Sequence, residues 1–264
     1  MIRLARIALY PFKSLDPVVL DAVSVRRSGM LQDDRRYAVR DREGAFVNGK
    51  RDPRVHRIRS EFDVASRELA LRVEQSSERR TFHVDRDRTA IEDWFSTYFE
   101  TPAAVAENSE TGFPDDLDHP GPTVVSTATL QTVASWFGGW PLDEVRRRFR
   151  ANFEIDGVEP FWEDRLFGPA GTVVRFSIGD AAFEGTNPCA RCVVPSRSPV
   201  SGDVQSMFQK VFAEQRRRSL PDWADARRFD HFYHLAVNTR PVSETLPARI
   251  RVGDLLRIDG PRPV

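Results

Sequence analysis

The sequence predicts a β-rich α+β fold made of two halves, and three observations support this prediction. Short runs rich in β-branched residues, separated by turn signals, fill most of the first third of the chain. Helical spacing of apolar residues appears in only a few segments. A polar stretch rich in Pro, Gly and Asp, residues 102–122, interrupts the pattern near the middle. With 264 residues, of which 40% are hydrophobic, the chain is long enough to bury a large core.

The first half is predicted to contain mainly antiparallel strands, followed by one helix. Strand candidates are IRLARIALYPF, VVLDAVSVRR and RRYAVRD, and alternating apolar residues around Leu69 and Leu71 extend the pattern. A helix fits AIEDWFSTYFE, where four large apolar residues share one face: Ile91, Trp94, Phe95 and Phe99. We interpret residues 102–122 as a long surface loop that separates domains 1–105 and 106–264.

The second half is predicted to mix strands and helices. PTVVSTATLQTVASWFG is typical of a strand followed by a short helix capped near Ser126. FRANFEIDG and GTVVRFSIGDAAFEGTNP are strand candidates. DVQSMFQKVFAEQRR predicts an amphipathic helix with Met207, Val211 and Phe212 on its apolar face. The segment RIRVGDLLRID predicts a final hairpin-like pair of strands around Gly253.

The composition argues against several classes of partner and compartment. The formal net charge is zero, so nothing indicates nucleic acid or an anionic membrane as a general partner. Only three of the 39 basic residues are lysines, and arginine suits bidentate binding of phosphate or carboxylate. With two cysteines, no signal segment at its start and no window of about 20 apolar residues, the chain is expected to be a soluble cytoplasmic protein.

Both cysteines lie in TNPCARCVVP, as Cys189 and Cys192. A structural zinc site needs about four ligands, and His231 and His234 could in principle complete one, although their aromatic neighbours favour packing. A redox dithiol needs a helix directly after the pair, and the two prolines of VVPSRSP do not allow that helix to start. A third interpretation is that one thiolate binds a soft or redox-active metal, while Arg191 holds an anionic part of its cofactor.

The wider sequence resembles a known family. TNPCARCVVPSRSPVSGD resembles the signature of the MOSC family, named for the molybdenum cofactor sulfurase C-terminal domain, and YPFKS and DRRYAV resemble its accompanying N-terminal β-barrel domain. Five such segments lie in the expected order between Tyr10 and about Asp254, as in the branch that includes the mitochondrial amidoxime reducing component. The resemblance implies an N-terminal barrel-like domain packed on a MOSC β-barrel domain, with a cofactor cleft between them. Pyridoxal phosphate binding is a further association at the family level.

The resemblance implies the site residues. The second cysteine of the CxRC segment ligates molybdenum in that family, which makes Cys192 the metal ligand and catalytic residue, while Cys189 is expected to be a small buried residue. Arg36 is an ambiguous neighbour of the site, and Arg54 is expected to be structural. Glu163 and Asp164 match acidic positions but are assigned no catalytic proton. The implied cofactor-binding residues are Lys13, Ser14, Arg35, Ser126, Arg150, Asn152, Ala190, Arg191 and Asn238.

The implied function is two-electron reduction of N-hydroxylated compounds, of the amidoxime or hydroxylamine type, by a molybdenum-dependent oxidoreductase that uses Mo-molybdopterin. The chain has no further cysteines for an iron–sulfur cluster, so the electrons are expected from a separate ferredoxin-, cytochrome b5- or flavin-reductase-like protein. Two alternatives remain open. One is a molybdenum cofactor carrier or sulfur-transfer protein without its own redox turnover, and the other is a family member that keeps the barrel only for partner binding.

Overall fold

The structure is a computed structural model that describes residues 1–263 and confirms the β-rich α+β class. The helices are α1 (Arg88–Phe99), α2 (Thr127–Trp136), α3 (Leu142–Phe149) and α4 (Phe208–Arg218). The strands of the first half are β1 (Arg3–Leu9), β2 (Val18–Leu20), β3 (Ala22–Val25), β4 (Tyr37–Asp41), β5 (Ile58–Asp63), β6 (Glu68–Val73), β7 (Arg79–His83) and β8 (Ala103–Glu107). Those of the second half are β9 (Val124–Ser126), β10 (Phe153–Asp156), β11 (Thr172–Ile178), β12 (Ala181–Ala190), β13 (His234–Pro241), β14 (Ala248–Arg251) and β15 (Leu256–Pro263).

The largest sheet has eight strands in the order β15-β11-β12-β13-β9-β10-β1-β2. All neighbours are antiparallel except β9 and β10, which run parallel. Two hydrogen bonds connect distant strands of this sheet. The backbone N–H of Leu4 donates to the carbonyl of Asp254 at 2.9 Å, and the backbone N–H of Leu256 donates to the carbonyl of Ile2 at 3.1 Å. These bonds tie the start of β1 to the start of β15 and give the sheet a barrel-like shape.

The first half adds a smaller unit with its own core. Strands β5, β6 and β7 form one sheet, β4 pairs with β8, and α1 packs its buried residues Ile91, Phe95 and Phe99 against them. The two halves also interlock, since β1 pairs with β10 and β3 pairs with β14. The division into domains 1–105 and 106–264 stays a prediction. No helix within residues 1–263 has the length and hydropathy needed to cross a membrane.

The segment expected to be one long loop, 102–122, contains a strand. Residues Ala103–Glu107 form β8, which pairs antiparallel with β4 from Tyr37 to Asp41. Val105 is buried in the smaller core, so this apolar stretch has a partner strand that its alanine-rich sequence does not reveal. The loop without regular structure therefore begins only at Asn108.

The C-terminal hairpin prediction is wrong. Strand β14 pairs with β3 near the N-terminus, and β15 pairs with β11, so the two strands around Gly253 have different partners. The fully buried Ile250 packs in the large core, which draws β14 away from β15. Long-range pairing of this kind is invisible in a local pattern.

The structure changes the predicted start of one helix and adds a second helix. Helix α4 begins at Phe208 rather than near Asp203, because Met207 adopts a left-handed conformation (φ 62°) and its side chain is exposed. Its buried face is formed by Phe208, Phe212 and Arg216. Helix α3 is an additional helix that the sequence pattern does not indicate, since LDEVRRRF is dominated by charge.

Candidate functional site

A cavity of about 640 Å³ lies between the two halves and is lined by residues of both. Its size is within the range of small-molecule and cofactor sites. It gathers the residue expected to ligate metal and eight of the nine expected to bind the cofactor. These are Lys13, Ser14, Arg35, Arg150, Asn152, Ala190, Arg191, Cys192 and Asn238.

Lys13 reaches the cavity from the turn after β1. The turn is held in place because the backbone N–H of Lys13 donates to the carbonyl of Tyr37 at 2.7 Å. The side chain is only 8% exposed, and its Nζ donates to the Phe113 carbonyl and to Asp115 Oδ1, both at 2.8 Å. Burial lowers the pKa of Lys13, although Asp115 opposes this effect. The positive charge of Lys13 is therefore stabilised by an anionic partner within the cavity.

The partner of Lys13 belongs to the acidic loop, which we define as residues 113–121. The loop is anchored at both ends: the N–H of Phe113 donates to the carbonyl of Arg35 at 2.8 Å, and the N–H of Gly121 donates to that of Thr239 at 3.0 Å. Burial works to raise the pKa of Asp115, but Lys13, Lys50 and Arg35 hold it at about 2. The loop therefore places a permanent negative charge at the cationic wall of the cavity.

Arg35 and Arg150 form the rest of that wall and lie against Tyr10. Arg35 is paired with Asp34, and its guanidinium carbon is 5.3 Å from the centre of the Tyr10 ring. Arg150 ends α3 in a left-handed conformation (φ 54°), and its guanidinium carbon is 4.1 Å from the same ring. Within residues 1–263 the Arg150 guanidinium makes no hydrogen bond or ion pair with another residue. Burial and the charge of Arg35 lower its pKa, as expected for a cation that lacks an anion.

The cysteine segment continues from the end of β12. The N–H of Arg191 donates to the Tyr233 carbonyl at 3.0 Å, and its guanidinium donates to Cys189 Sγ at 3.2 Å and to the Phe149 carbonyl. Cys192 Sγ accepts from the N–H of Val194 at 3.5 Å. Both cysteines are free thiols and half-buried. The expectation of a buried Cys189 is therefore wrong, because Cys189 is half-buried, lines the cavity and contacts Arg191.

Asn152 and Asn238 contact other protein groups at the edge of the cavity. Asn152 Nδ2 donates to the Ala8 carbonyl at 3.1 Å and to Asp34 at 3.2 Å, which links β1 and the segment before β10. Asn238 Nδ2 donates to Asp116 of the acidic loop at 3.4 Å. Their amides thus position neighbouring elements, and Asn238 helps to hold the acidic loop over the cavity.

Ser126 does not line the cavity, in contrast to the expectation. It is fully buried and caps α2, because its Oγ accepts from the N–H of Thr129 at 3.0 Å. The same hydroxyl donates to Thr129 Oγ1, which donates in turn to Glu163 at 2.9 Å. A small hydroxyl residue before a helix satisfies the cap on its own, so the motif match did not distinguish the two roles.

The acidic pair Glu163 and Asp164 lies in the interior beneath α2. Burial, together with the neighbouring Asp164, raises the pKa of Glu163 to about 7. Asp164 pairs with Arg216, which is 2% exposed and stacks on Phe161 at 4.1 Å. Neither acid lines the cavity.

Two further arginines lie outside the cavity lining. Arg36 pairs with Asp33 and Glu107, both at under 3 Å. Arg54 pairs with Asp52 at 2.8 Å at the start of a short 3-10 helix, as expected for a structural residue. The polar lining residues that sequence reasoning missed include Lys50, His56, Asp115 and His119. PDDLDHPG gathers three aspartates in a polar loop, but this pattern does not show that Asp115 lies in the cavity.

Family models and two curated relatives point to one family. The model of the MOSC N-terminal beta barrel domain matches residues 1–102, and that of the MOSC domain matches residues 123–257. A molybdenum cofactor sulfurase from Homo sapiens is 25% identical over 77% of this chain, and one from Caenorhabditis elegans is 26% identical over 43%. The matches cover 27% and 14% of those relatives, so the chain spans about a quarter of the human protein. The crystal structure of the YUAD protein from Bacillus subtilis covers 98% of this chain and 96% of its own, at 12% identity and a TM-score of 0.38.

Proposed function

The chain belongs to the MOSC family and carries both the N-terminal beta barrel domain and the MOSC domain, and from this we propose that it binds the molybdenum cofactor in the cavity between its halves. The names of the two sulfurase relatives support a link to this cofactor. The cavity is of suitable volume and joins residues from the two matched regions.

The residues present fit such a group. The observation that carries the proposal is Arg150, a half-buried guanidinium that forms no ion pair with another residue within residues 1–263 and lines the cavity that also holds Cys192. Together with Lys13 and Arg35 it would hold the anionic phosphate of the cofactor through charge-assisted hydrogen bonds. Lys13 forms an ion pair with Asp115 in this structure, so the cofactor phosphate would replace the Asp115 carboxylate as the partner of Lys13.

Cys192 would supply the protein ligand to molybdenum, since thiolate is a soft donor suited to such a centre. The Val194 N–H that reaches its Sγ would orient it. Arg191 would contribute positive charge beside it. Its position is fixed by the Phe149 carbonyl and Cys189.

The proposed reaction is two-electron reduction of an N-hydroxylated compound, in which the N–O bond breaks. Two electrons and two protons convert the N–OH group to N–H and water. The bound molybdenum centre would supply the two-electron couple. The protein would exclude bulk water with the acidic loop and hold the cofactor between its halves. A separate electron-donor protein would deliver the electrons.

A sulfur-transfer or cofactor-carrier function is the second candidate, and one observation favours it. Cys189 and Cys192 line the same cavity, and Arg191 donates to the Sγ of Cys189. This contact is not needed if Cys192 alone is the metal ligand. A thiol beside a cation is the environment in which cysteines are reactive. In this case the chain would pass on the cofactor or a sulfur atom without redox turnover of its own.

The test combines elemental analysis with an activity assay. Freshly purified protein should contain molybdenum at up to one equivalent and reduce an amidoxime with an artificial reductant. Molybdenum without reduction of any N-hydroxylated compound would favour the carrier function. Transfer of labelled sulfur through a persulfide on Cys189 would favour sulfur transfer. One equivalent of zinc at the cysteines and no molybdenum would contradict both.

A further inference from the structure

Three potential metal ligands cluster outside the cavity, in the segment that leads into β13. Asp230, His231 and His234 each offer one ligand atom, and these atoms all lie within 4.8 Å of one another. The sequence offers His231 and His234 as partners of the cysteine pair. In residues 1–263 they group instead with Asp230, and neither cysteine belongs to the cluster.

The spacing of the ligand atoms is close to that around a tetrahedral ion. Asp230 Oδ1 lies 3.5 Å from His234 Nε2 and 3.7 Å from His231 Nε2. Ligands about 2.0–2.1 Å from a zinc ion at tetrahedral angles lie roughly 3.3–3.4 Å apart. Both distances from the carboxylate oxygen are thus within about half an ångström of this spacing, and the ligand atoms of the two histidines lie within 4.8 Å of each other.

His234 is oriented by the protein in the manner of a metal ligand. Its Nδ1 lies 2.6 Å from the carbonyl of His231, so this nitrogen donates its proton and Nε2 keeps its lone pair. The ring packs edge-on against Phe229 and is only 4% exposed.

The other two ligands lie at the surface and can adjust. Asp230 and His231 have side-chain exposures of 79% and 51%. Nδ1 of His231 accepts from the N–H of Tyr233 at 3.2 Å. Binding of an ion through Nε2 requires the proton to move to Nδ1, and the ring then loses this contact. An ion held by these three residues would keep its fourth position open to water or to an added ligand.

We propose that Asp230, His231 and His234 form a surface site for zinc or a similar borderline divalent ion, separate from the cavity that holds Cys192. Two imidazoles and one carboxylate are a donor set that suits such ions. Because His234 pairs with Ala190 across β13 and β12, the ion would tie the segment before β13 to the strand that ends in the cysteine segment.

The test is calorimetric titration of the metal-free full chain with Zn²⁺, followed by Co²⁺ spectroscopy. A variant with both cysteines replaced, Cys189→Ala/Cys192→Ala, should still bind one equivalent and show a cobalt spectrum without thiolate charge-transfer bands. In that background, His231→Ala and Asp230→Asn should each weaken Zn²⁺ binding by at least tenfold. Both substitutions are at exposed positions, so loss of folding does not explain such a result.

His83→Ala is the matched control, since His83 faces Asp85 at 4.0 Å without a second histidine. It should bind Zn²⁺ as tightly as its parent. Binding that disappears when the cysteines are replaced, or that His231→Ala leaves unchanged, would overturn the proposal. The proposal would also be overturned if no binding is detected at Zn²⁺ concentrations up to about 100 µM.

Discussion

Lys13 and Asp115 are 102 positions apart in the sequence, yet their side chains meet at 2.8 Å inside the cavity. The contact joins the turn after the first strand to the acidic loop that leads into the second half. It places a carboxylate where the proposed cofactor would need the lysine. The acidic loop and an anionic ligand therefore compete for the same ammonium group.

Asp115→Asn should tighten anion binding. Asparagine removes the competing charge but keeps the size of the side chain, and a site whose competent state is more populated binds with higher apparent affinity, here by about three- to tenfold. Calorimetry with inorganic phosphate measures this directly. Because the pKa of Asp115 is about 2, the difference between variant and parent should persist from pH 5 to pH 8.

Asp118→Asn is the control for that experiment. Asp118 lies in the same loop and is exposed, and it forms no ion pair with Lys13. It should leave phosphate affinity within twofold of the parent. Equal tightening in both variants would mean that only the net charge of the loop matters, and that the contact with Lys13 does not.

Arg150→Gln should weaken binding of phosphate, and of the cofactor, by about 10- to 100-fold, the loss expected for a hydrogen bond to a charged group. Arg150 has no protein partner within residues 1–263 except the face of Tyr10, so its removal should leave the melting temperature nearly unchanged. Arg217→Gln, at an exposed position of α4, removes the same charge away from the cavity. Similar losses in both variants would contradict a specific role for Arg150.

Glu163→Gln should remove a pH-dependent part of the stability. The pKa of Glu163 is raised from 4.5 to about 7 by burial and by Asp164, so the folded state holds this proton more tightly than the unfolded state. The stabilisation is complete below pH 4.5 and is lost as pH rises through 7, by up to about 3 kcal/mol. Urea unfolding between pH 5 and pH 8 should show a shallower decline for the variant. An identical decline in both proteins would assign the effect to other groups.

Arg216→Met should destabilise the protein by about 3–5 kcal/mol, because it leaves the buried carboxylate of Asp164 without its partner. The double variant Asp164→Leu/Arg216→Met removes both charges and should recover at least half of that loss. Denaturant unfolding of the parent and both variants gives the comparison. If the double variant is less stable than Arg216→Met, the unpaired carboxylate of Asp164 does not account for the loss of stability in the single variant.

The elements that the sequence predicted are those with strong local signals. Helix α1 places Ile91, Phe95 and Phe99 at helical spacing, and Ser126 is a typical cap, so both lie where the pattern indicates. Strand β8 and the separate partners of β14 and β15 depend on pairing with distant strands. The residues of one segment do not indicate which distant strand it pairs with.

The candidate site shows the same division. Family motifs identified the cationic residues and Cys192, which the fold brings together around one cavity. They did not identify Asp115, because its role depends on where the acidic loop crosses the cavity and not on the sequence around it. The motif match at Ser126 selected a residue that serves the helix cap instead.

The most direct test of the central claim is the molybdenum content of Cys192→Ala beside that of Cys189→Ala, both purified after expression in a host that makes the cofactor. If Cys192 is the metal ligand, its variant should lose bound molybdenum and reductive turnover while keeping the parent's unfolding curve, and Cys189→Ala should keep its molybdenum. A Cys192→Ala protein that retains both molybdenum and amidoxime reduction would contradict the assignment.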